Sequence, residues 1–170
     1  MHERGSLKTA RGLLKIMCYI INDSCWNGVT MINTQEIRFN IIEHEADMGL
    51  EIYGRDLSGL FAHAGEALFS LITDPDTIES RFAREFTMDD EEESLVVFLN
   101  ELLYLWDTEK FLPGRFSVSE DRGRLVVIVR GETFNPVKHP VKKEIKAVTY
   151  HKFAIRQQGD LLKATIFLDI

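Results

Sequence analysis

The sequence predicts an α+β fold, a two-layer sandwich in which two amphipathic helices pack against a mostly antiparallel sheet. Two segments carry apolar residues at the spacing of a helix with one buried face. Several other segments alternate apolar and polar residues, or are rich in β-branched and aromatic residues, as strands are. Turn sequences between the later segments indicate that these strands are joined as hairpins.

Composition limits the classes of protein to consider. The 170 residues suffice for one domain, or for a domain with a tail. A net charge of −7 argues against general nucleic-acid binding, which needs clustered Lys and Arg. No apolar run approaches the ~20 residues that a membrane span requires. Cys18 and Cys25 lack a CxxC partner or a neighbouring His pair, so no zinc signature is present. Both cysteines lie near the N-terminus and the core of the chain has none, which fits a reducing, cytoplasmic location.

Residues 1–35 differ in character from the rest and are interpreted as an N-terminal extension that is not native or is poorly ordered. The segment LLKIMCYII resembles the apolar region of a signal peptide, but Lys15 interrupts it and no A-x-A cleavage site follows. We favour a native start at Met31. A secretory signal and an additional strand or helix are the alternatives. Residues 36–170 are predicted to form a single domain.

The domain is predicted to begin with two strands and a helix. Residues 36–43 and 47–54 are extended, and the second segment has an apolar face made of Met48, Leu50 and Ile52. Asp56 is the predicted N-cap of a helix whose apolar residues recur from Leu57 to Leu71. Pro75 cannot continue this helix, which is expected to end near Asp74.

A strand and a second helix are predicted next. Phe82, Phe86 and Met88 have the even spacing of a strand, with Arg84 on the same face. Residues 89–109 form the second helix, with a buried stripe of Leu95, Leu99, Leu102, Leu103 and Trp106. Its acids, residues 89–93, are expected in the first turn, where the helix dipole favours negative charge. We favour a solvated helix start there over a metal site.

The last part of the chain is predicted as strands. After FLPG, the segments RFSVS and LVVIVRG flank EDRGR as a hairpin. EIKAVTYHKFAI is extended, GD forms a turn, and LLKATIFLDI is the final strand. One face of this strand carries Leu162, Ala164, Ile166, Leu168 and Ile170. Asp169 lies on its other face.

Acids at strand ends are the chemical feature of this sequence, which has no GxGxxG, P-loop, HExxH or GxSxG motif. If strand geometry extends back to Asp47, its side chain lies away from the apolar face, as does that of Asp169. Ile170 adds a terminal carboxylate. Such oxygens suit a hard divalent cation, and the cation would offset the repulsion between the carboxylates. Two unrelated surface acids are the alternative.

Three other side chains are weaker or separate candidates. His44 and His151 are candidate metal ligands or general bases, although a lone His is more often a hydrogen-bonded structural residue. Lys146 falls in a predicted strand, where a rigid lysine can hold a phosphate or organise a carboxylate. It belongs to the one basic region, Lys138, His139, Lys142, Lys143, Lys146, His151 and Lys152. A strand edge protected by lysines is the alternative.

Four segments together resemble the archease family. They are EHEADMGLEIYGRDLSGLFAHAGEALFSLITD, FLNELLYLWDTEKFL, EIKAVTYHKF and the terminal FLDI, in the family's order and spanning residues 36–170. The usual form of the first family motif is His-Thr-Ala-Asp. Glu45 replaces the Thr here, which adds a carboxylate beside the predicted site and alters its charge balance.

The resemblance implies an accessory protein rather than a free-standing enzyme. Archeases assist a GTP-dependent RNA ligase, which joins ends bearing a 3′-phosphate or cyclic phosphate to 5′-hydroxyl ends in tRNA splicing and RNA repair. They promote guanylylation and multiple turnover of the ligase. The family's functional residues carry over to Asp47, Lys146 and Asp169. The two aspartates, with the carboxylate of Ile170, would bind a divalent cation, either calcium or manganese or magnesium. RNA would be contacted only through the ligase, and no membrane is implied.

Two other classes of function stay open from the residues alone. A small metal-dependent phosphoesterase would use the same two carboxylates, with His151 as its general base. A chaperone-like or scaffolding module would need neither Asp47 nor Asp169.

Overall fold

The computed structural model describes residues 38–43, 48–89 and 91–170. The N-terminal extension and residues 44–47 lie outside the described residues, and with them His44, Glu45 and Asp47. In chain order the described elements are β1 (Phe39–Glu43), β2 (Met48–Gly54), α1 (Leu57–Ile72), a short 3₁₀ helix (Pro75–Thr77), β3 (Phe82–Asp89), α2 (Ser94–Glu109), β4 (Phe111–Asp121), β5 (Arg124–Thr133), β6 (Ala147–Gln158) and β7 (Leu161–Asp169).

The described strands form two antiparallel sheets, with the orders β1-β2-β7-β6 and β3-β5-β4. Both helices contact both sheets. Helix α1 packs against β2 and β7 and also against β4, and α2 packs against β6 and also against β3 and β4. The predicted α+β class is confirmed. The division into two sheets was not predicted, because alternation shows which side chains are buried but not which strands pair.

Helix α1 begins and ends as its sequence predicts. The carboxylate of Asp56 accepts a hydrogen bond from the N–H of Gly59 at 2.7 Å, which confirms the N-cap. At the other end, the Nζ of Lys142 donates to the carbonyl oxygen of Thr73 at 3.1 Å. A cation at this position suits the negative end of the helix dipole. The face between the two ends is fully buried at Leu60, Phe61, Ala64 and Leu68.

Helix α2 starts later than predicted. It begins at Ser94, so Glu91, Glu92 and Glu93 precede the helix instead of occupying its first turn. Their carbonyl oxygens accept hydrogen bonds from the N–H groups three residues later. The backbone carbonyl oxygens of this tight turn therefore accept hydrogen bonds from the first N–H groups of the helix, which have no acceptor within the helix itself. The predicted stripe is buried at Leu95, Leu99, Leu102 and Leu103, and Trp106 is half-buried.

The strand that follows α2, in contrast, begins earlier than predicted. Strand β4 starts at Phe111 and includes FLPG, with a register shift between Pro113 and Arg115. A bulge of this kind allows a proline inside a ladder. The β4–β5 hairpin is confirmed. Its two-residue turn, Arg122 and Gly123, has φ values of 52° and 75°, as a type I′ turn requires.

One apolar core unites these elements. Its buried residues come from α1, α2 and strands of both sheets, including Leu50, Phe98, Val127 and Ile166. The apolar face of β7 is buried at Ala164, Ile166 and Leu168, whereas Ile170 is exposed. Within the described ranges, no helix combines the length and the apolar character needed to cross a membrane.

Candidate functional site

The start of β2, the start of β6 and the end of β7 lie side by side at one end of the first sheet. Leu168 pairs with Met48 on one side and with Val148 on the other. Asp47 immediately precedes Met48 in the sequence. The register thus brings the strand that follows Asp47 beside the strand end that carries Asp169. Because Asp47 is outside the described residues, its meeting with Asp169 stays a prediction.

The structure brings Lys146 and the end of β7 together. The backbone N–H of Lys146 donates to the carbonyl oxygen of Asp169 at 2.8 Å. The Nζ of the same residue donates to the main-chain oxygen of Ile170 at 3.1 Å. Lys146 was expected inside a strand, but β6 begins one residue later, at Ala147, which pairs with Asp169. Lys146 is therefore held by the hydrogen bond from its backbone N–H to Asp169, and not by pairing within a strand.

The oxygen atoms at this end of the sheet are of the chemical type that hard divalent cations bind. Asp169 is exposed, and the oxygen of Ile170 lies beside it in the chain. Carboxylate and main-chain oxygens are the ligands that calcium, magnesium and manganese prefer. Among the described residues, however, no three His, Cys, Asp or Glu side chains cluster as metal ligands do. The predicted set therefore depends on Asp47 to complete it.

His151 lies in a bulge that the sequence did not predict. Four residues of β6, residues 150–153, face the single residue Ile166 of β7. The ring of His151 packs against Phe167, with 5.9 Å between ring centroids. Lys152 has a φ of 52°, and its Nζ lies 5.6 Å from the same ring. The run of β-branched and aromatic residues predicts one continuous strand. The sequence pattern therefore does not indicate the bulge.

The basic region of the sequence is not one surface. His139 is fully buried, and Lys142 donates to the C-terminal carbonyls of α1. Lys138 forms ion pairs at 2.7 Å with both Glu79 and Glu132. Three members of the region thus hold the connector between β5 and β6 in place. The alternative interpretation, in which these lysines protect an exposed strand edge, does not apply to these three residues.

Glu132, near the end of β5, is the acceptor that this connector contacts. Its Oε1 accepts hydrogen bonds from the backbone N–H of Glu79 at 2.6 Å, from Lys138 at 2.7 Å and from His139 at 3.2 Å. Burial alone would raise the pKa of Glu132. The hydrogen bond from Lys138, with that from the Glu79 backbone, outweighs burial and lowers the pKa from 4.5 to about 2. The carboxylate is therefore charged throughout the physiological range.

Asn100 also belongs to this region, although the sequence alone does not single it out. It lies on α2, and its side-chain amide pairs with both backbone groups of Val148, two residues beyond Lys146. Its only sequence signal is a polar amide in the middle of an apolar helix segment, FLNELL. Such a residue is usually taken as part of the solvated face.

Comparison with known proteins identifies the family. The Archease protein family (MTH1598/TM1083) matches this chain over residues 39–170. The chain is 35% identical to the protein archease of Sulfurisphaera tokodaii over 137 residues, which covers 78% of this chain and 99% of that protein. It is 39% identical to the protein archease of Pyrococcus furiosus over 124 residues, 69% of this chain and 87% of that protein.

Solved structures agree with this match. The solution structure of Methanobacterium thermoautotrophicum protein 1598 superposes with a TM-score of 0.65 at 32% identity, covering 78% of this chain and 99% of that one. The crystal structure of a Thermotoga maritima archease, described as a possible chaperone, gives a TM-score of 0.54 at 25% identity, with 76% and 94% coverage. The match over most of the chain and the shared fold lead to one conclusion: this chain belongs to the archease family.

Proposed function

We propose that this protein is an accessory factor that activates a GTP-dependent RNA ligase in tRNA splicing and RNA repair, in the cytoplasm. It would promote guanylylation of the ligase and its repeated turnover on ends with a 3′-phosphate or cyclic phosphate and a 5′-hydroxyl. Membership of the archease family supports this proposal. The observation that carries it is the pairing of Lys146 with the end of β7, beside the start of β2.

Each residue of this site has a proposed role. Asp47, Asp169 and the carboxylate of Ile170 would hold a divalent cation, calcium or manganese or magnesium. A bound cation would neutralise charge on phosphate oxygens. Lys146, whose Nζ donates to Ile170 at 3.1 Å, would orient that oxygen and present a positive charge to a phosphate. His44 and His151 stay weaker candidates for the same end of the sheet.

The test is ligase guanylylation with and without this protein and its variants. Asp47→Ala, Lys146→Ala and Asp169→Ala are each expected to reduce the stimulation at least about tenfold, the effect of losing one charged interaction of ~1.4 kcal/mol. Added calcium or manganese is expected to raise the melting temperature of the unaltered protein but not of Asp169→Ala. Asp160→Ala is the control, because Asp160 is an exposed aspartate in the β6–β7 turn, at the other end of β7.

The same experiment separates the other functions. A stand-alone phosphoesterase would turn over nucleotides or RNA ends without the ligase. A chaperone-like module, the role suggested for the Thermotoga relative, would stimulate the ligase equally well after Asp47→Ala and Asp169→Ala. Turnover without the ligase would contradict the accessory role, and unchanged stimulation by the two variants would contradict the proposed metal site.

A further inference from the structure

We propose that Asn100 is a positioning residue for the end of the sheet that carries Lys146 and Asp169. Its side-chain amide, projecting from α2, holds the first residues of β6 in place. The consequence for ligase activation rests on the function proposed above, whereas the local ordering of β6 does not.

The amide of Asn100 is used in full as a donor. Its Nδ2 donates to the carbonyl oxygens of Val148 at 2.9 Å and of Val96 at 3.0 Å. Its Oδ1 accepts from the backbone N–H of Val148 at 3.0 Å. The reversed amide would set an oxygen against two carbonyl oxygens, so only this orientation satisfies the partners. The side chain thus pairs with Val148 at two points, as a neighbouring strand would.

Val148 lies where its pairing with Asn100 can affect the position of Lys146 and Asp169. Strand β6 is at the edge of its sheet, so β7 is its only strand neighbour among the described residues. On its outer side, Asn100 meets the N–H and C=O of Val148 that would otherwise be open at the edge. The next residue back, Ala147, pairs with Asp169, and Lys146 precedes it. Asn100 therefore acts on the backbone that places both side chains.

The connector before β6 increases the need for such an anchor. Residues 134–146 form no strand or helix. The buried Ile145 and the bond from the Lys146 N–H to Asp169 are the contacts nearest to the strand. Four residues of bulge follow Thr149 and weaken the ladder on the other side. The first three residues of β6 pair with β7, Val148 is buried, and the Thr149 hydroxyl donates to the carbonyl oxygen of Phe167. On the outer side of the strand, Asn100 supplies two further hydrogen bonds.

The residue type supports the same inference. Asn has a poor intrinsic preference for the interior of a helix, since its side chain competes for backbone hydrogen bonds. Asn100 nevertheless lies in the middle of α2, which spans Ser94–Glu109. A residue with a poor intrinsic preference for its secondary structure is usually compensated by contacts elsewhere in the fold. The two bonds to Val148 are that compensation.

Amide hydrogen exchange, measured by NMR on the full chain, tests the local part. In Asn100→Ala the amide of Val148 is expected to exchange about tenfold faster, as for the loss of one hydrogen bond. The amides of the central strand β2 are expected to change little. Asn100→Asp is the second variant, because it keeps the size of the side chain and presents an acceptor to the carbonyl of Val148. Glu101→Gln, at an exposed position of the same helix, is the control.

A double-mutant cycle tests the functional part. Asn100→Ala is expected to reduce the stimulation of guanylylation several-fold. Combined with Lys146→Ala, it is expected to cause a smaller loss than the two separate losses multiplied together, because part of the effect of Asn100 passes through Lys146. Simple destabilisation would instead speed exchange at all amides together and would add fully to Lys146→Ala.

The outcomes are separable. Unchanged protection of Val148, or equal acceleration everywhere, overturns the inference whatever the ligase does. Local acceleration with normal ligase stimulation also overturns it, while leaving the proposed function intact if Asp169→Ala is inactive. If the unaltered protein does not stimulate the ligase, the proposed function fails, and the exchange of Val148 and Lys146 amides decides the positioning role.

Discussion

At the scale of single residues, Glu132 shows how a nearly buried carboxylate stays charged. An ionised carboxylate without partners is costly to bury, but three donors converge on one oxygen of Glu132: the side chains of Lys138 and His139 in the connector, and the backbone N–H of Glu79 before β3. His139 contributes through a defined tautomer. Its Nδ1 accepts from the N–H of Asn135 at 3.0 Å, so its Nε2 carries the hydrogen that faces Glu132. The cluster ties residues 134–139 to the end of β5.

Glu132→Gln is therefore expected to lower the free energy of unfolding at pH 7 by roughly 1.5–3 kcal/mol, the range for hydrogen bonds to charged groups. The effect should depend on pH. The pKa of Glu132 is about 2 in the folded protein against an ordinary value of 4.5. The unfolded chain therefore takes up a proton first, and the advantage of Glu132 over Gln is present above pH 4.5 and declines toward pH 2.

Urea unfolding of both proteins between pH 7 and pH 2.5 measures this difference. Glu144→Gln serves as the control, because Glu144 is an exposed carboxylate of the same connector. A difference between Glu132 and Gln that stays constant down to pH 2.5 would contradict the assignment of the charge.

At the scale of an element, α1 depends on close contact with β4 of the second sheet. A Cβ atom added at Gly65 would overlap the ring of Phe116. That ring also packs edge-on against Phe98, with 6.5 Å between centroids, so a shift of the ring would disturb this contact. Gly65 is thus kept by packing, although alanine has a better intrinsic helix propensity. Gly59, also in α1, has no such neighbour, since its added Cβ would approach Asp56 only to 3.4 Å.

Gly65→Ala is expected to destabilise the protein by about 1–3 kcal/mol through overpacking. Gly59→Ala is expected to be neutral or to stabilise it by up to ~1 kcal/mol, because alanine reduces the entropy of the unfolded chain. Thermal or urea unfolding of the two variants gives the comparison within one helix. Equal stability of the two variants would show that Phe116 can move aside.

At the scale of the whole molecule, the net charge of −7 bears on partner choice. An acidic protein is attracted to a basic partner over distances of about the Debye length, ~10 Å at 0.1 M salt. An RNA ligase must present positive charge to its substrate. Charge attraction of this kind acts mostly on the rate of association. The proposed accessory role is therefore consistent with a protein that docks on the ligase without binding RNA itself.

The association rate with the ligase is accordingly expected to fall several-fold as salt rises from about 0.05 to 0.5 M, with a smaller change in the dissociation rate. Biolayer interferometry in a salt series measures both rates. A triple variant, Glu91→Gln with Glu92→Gln and Glu93→Gln, removes exposed negative charge and leaves the residues of the proposed site unchanged. It should associate more slowly at low salt. A rate independent of salt would contradict electrostatic docking.

Much of the architecture follows from local patterns. The N-cap at Asp56, the buried stripe of α2, the turn at Gly123 and the apolar face of β7 are each decided by residues close in sequence. Capping, helical periodicity and alternation depend on neighbours within a few positions, so they can be predicted without coordinates. The start of α2 was misplaced because the tight turn at Glu91–Glu93 competes with the first turn of the helix.

Local patterns and long-range contacts thus contribute differently to this protein. Its residues alone indicated the α+β class, most of the elements, the archease resemblance and the candidates Asp169 and Lys146. Only the folded chain showed that Lys146 bonds to the backbone of Asp169 and Ile170, that Asn100 pairs with Val148, and that Glu132 accepts from both the connector and Glu79. The reason is physical. These contacts join residues from 6 to 53 positions apart, and their energies depend on where the core places the backbone.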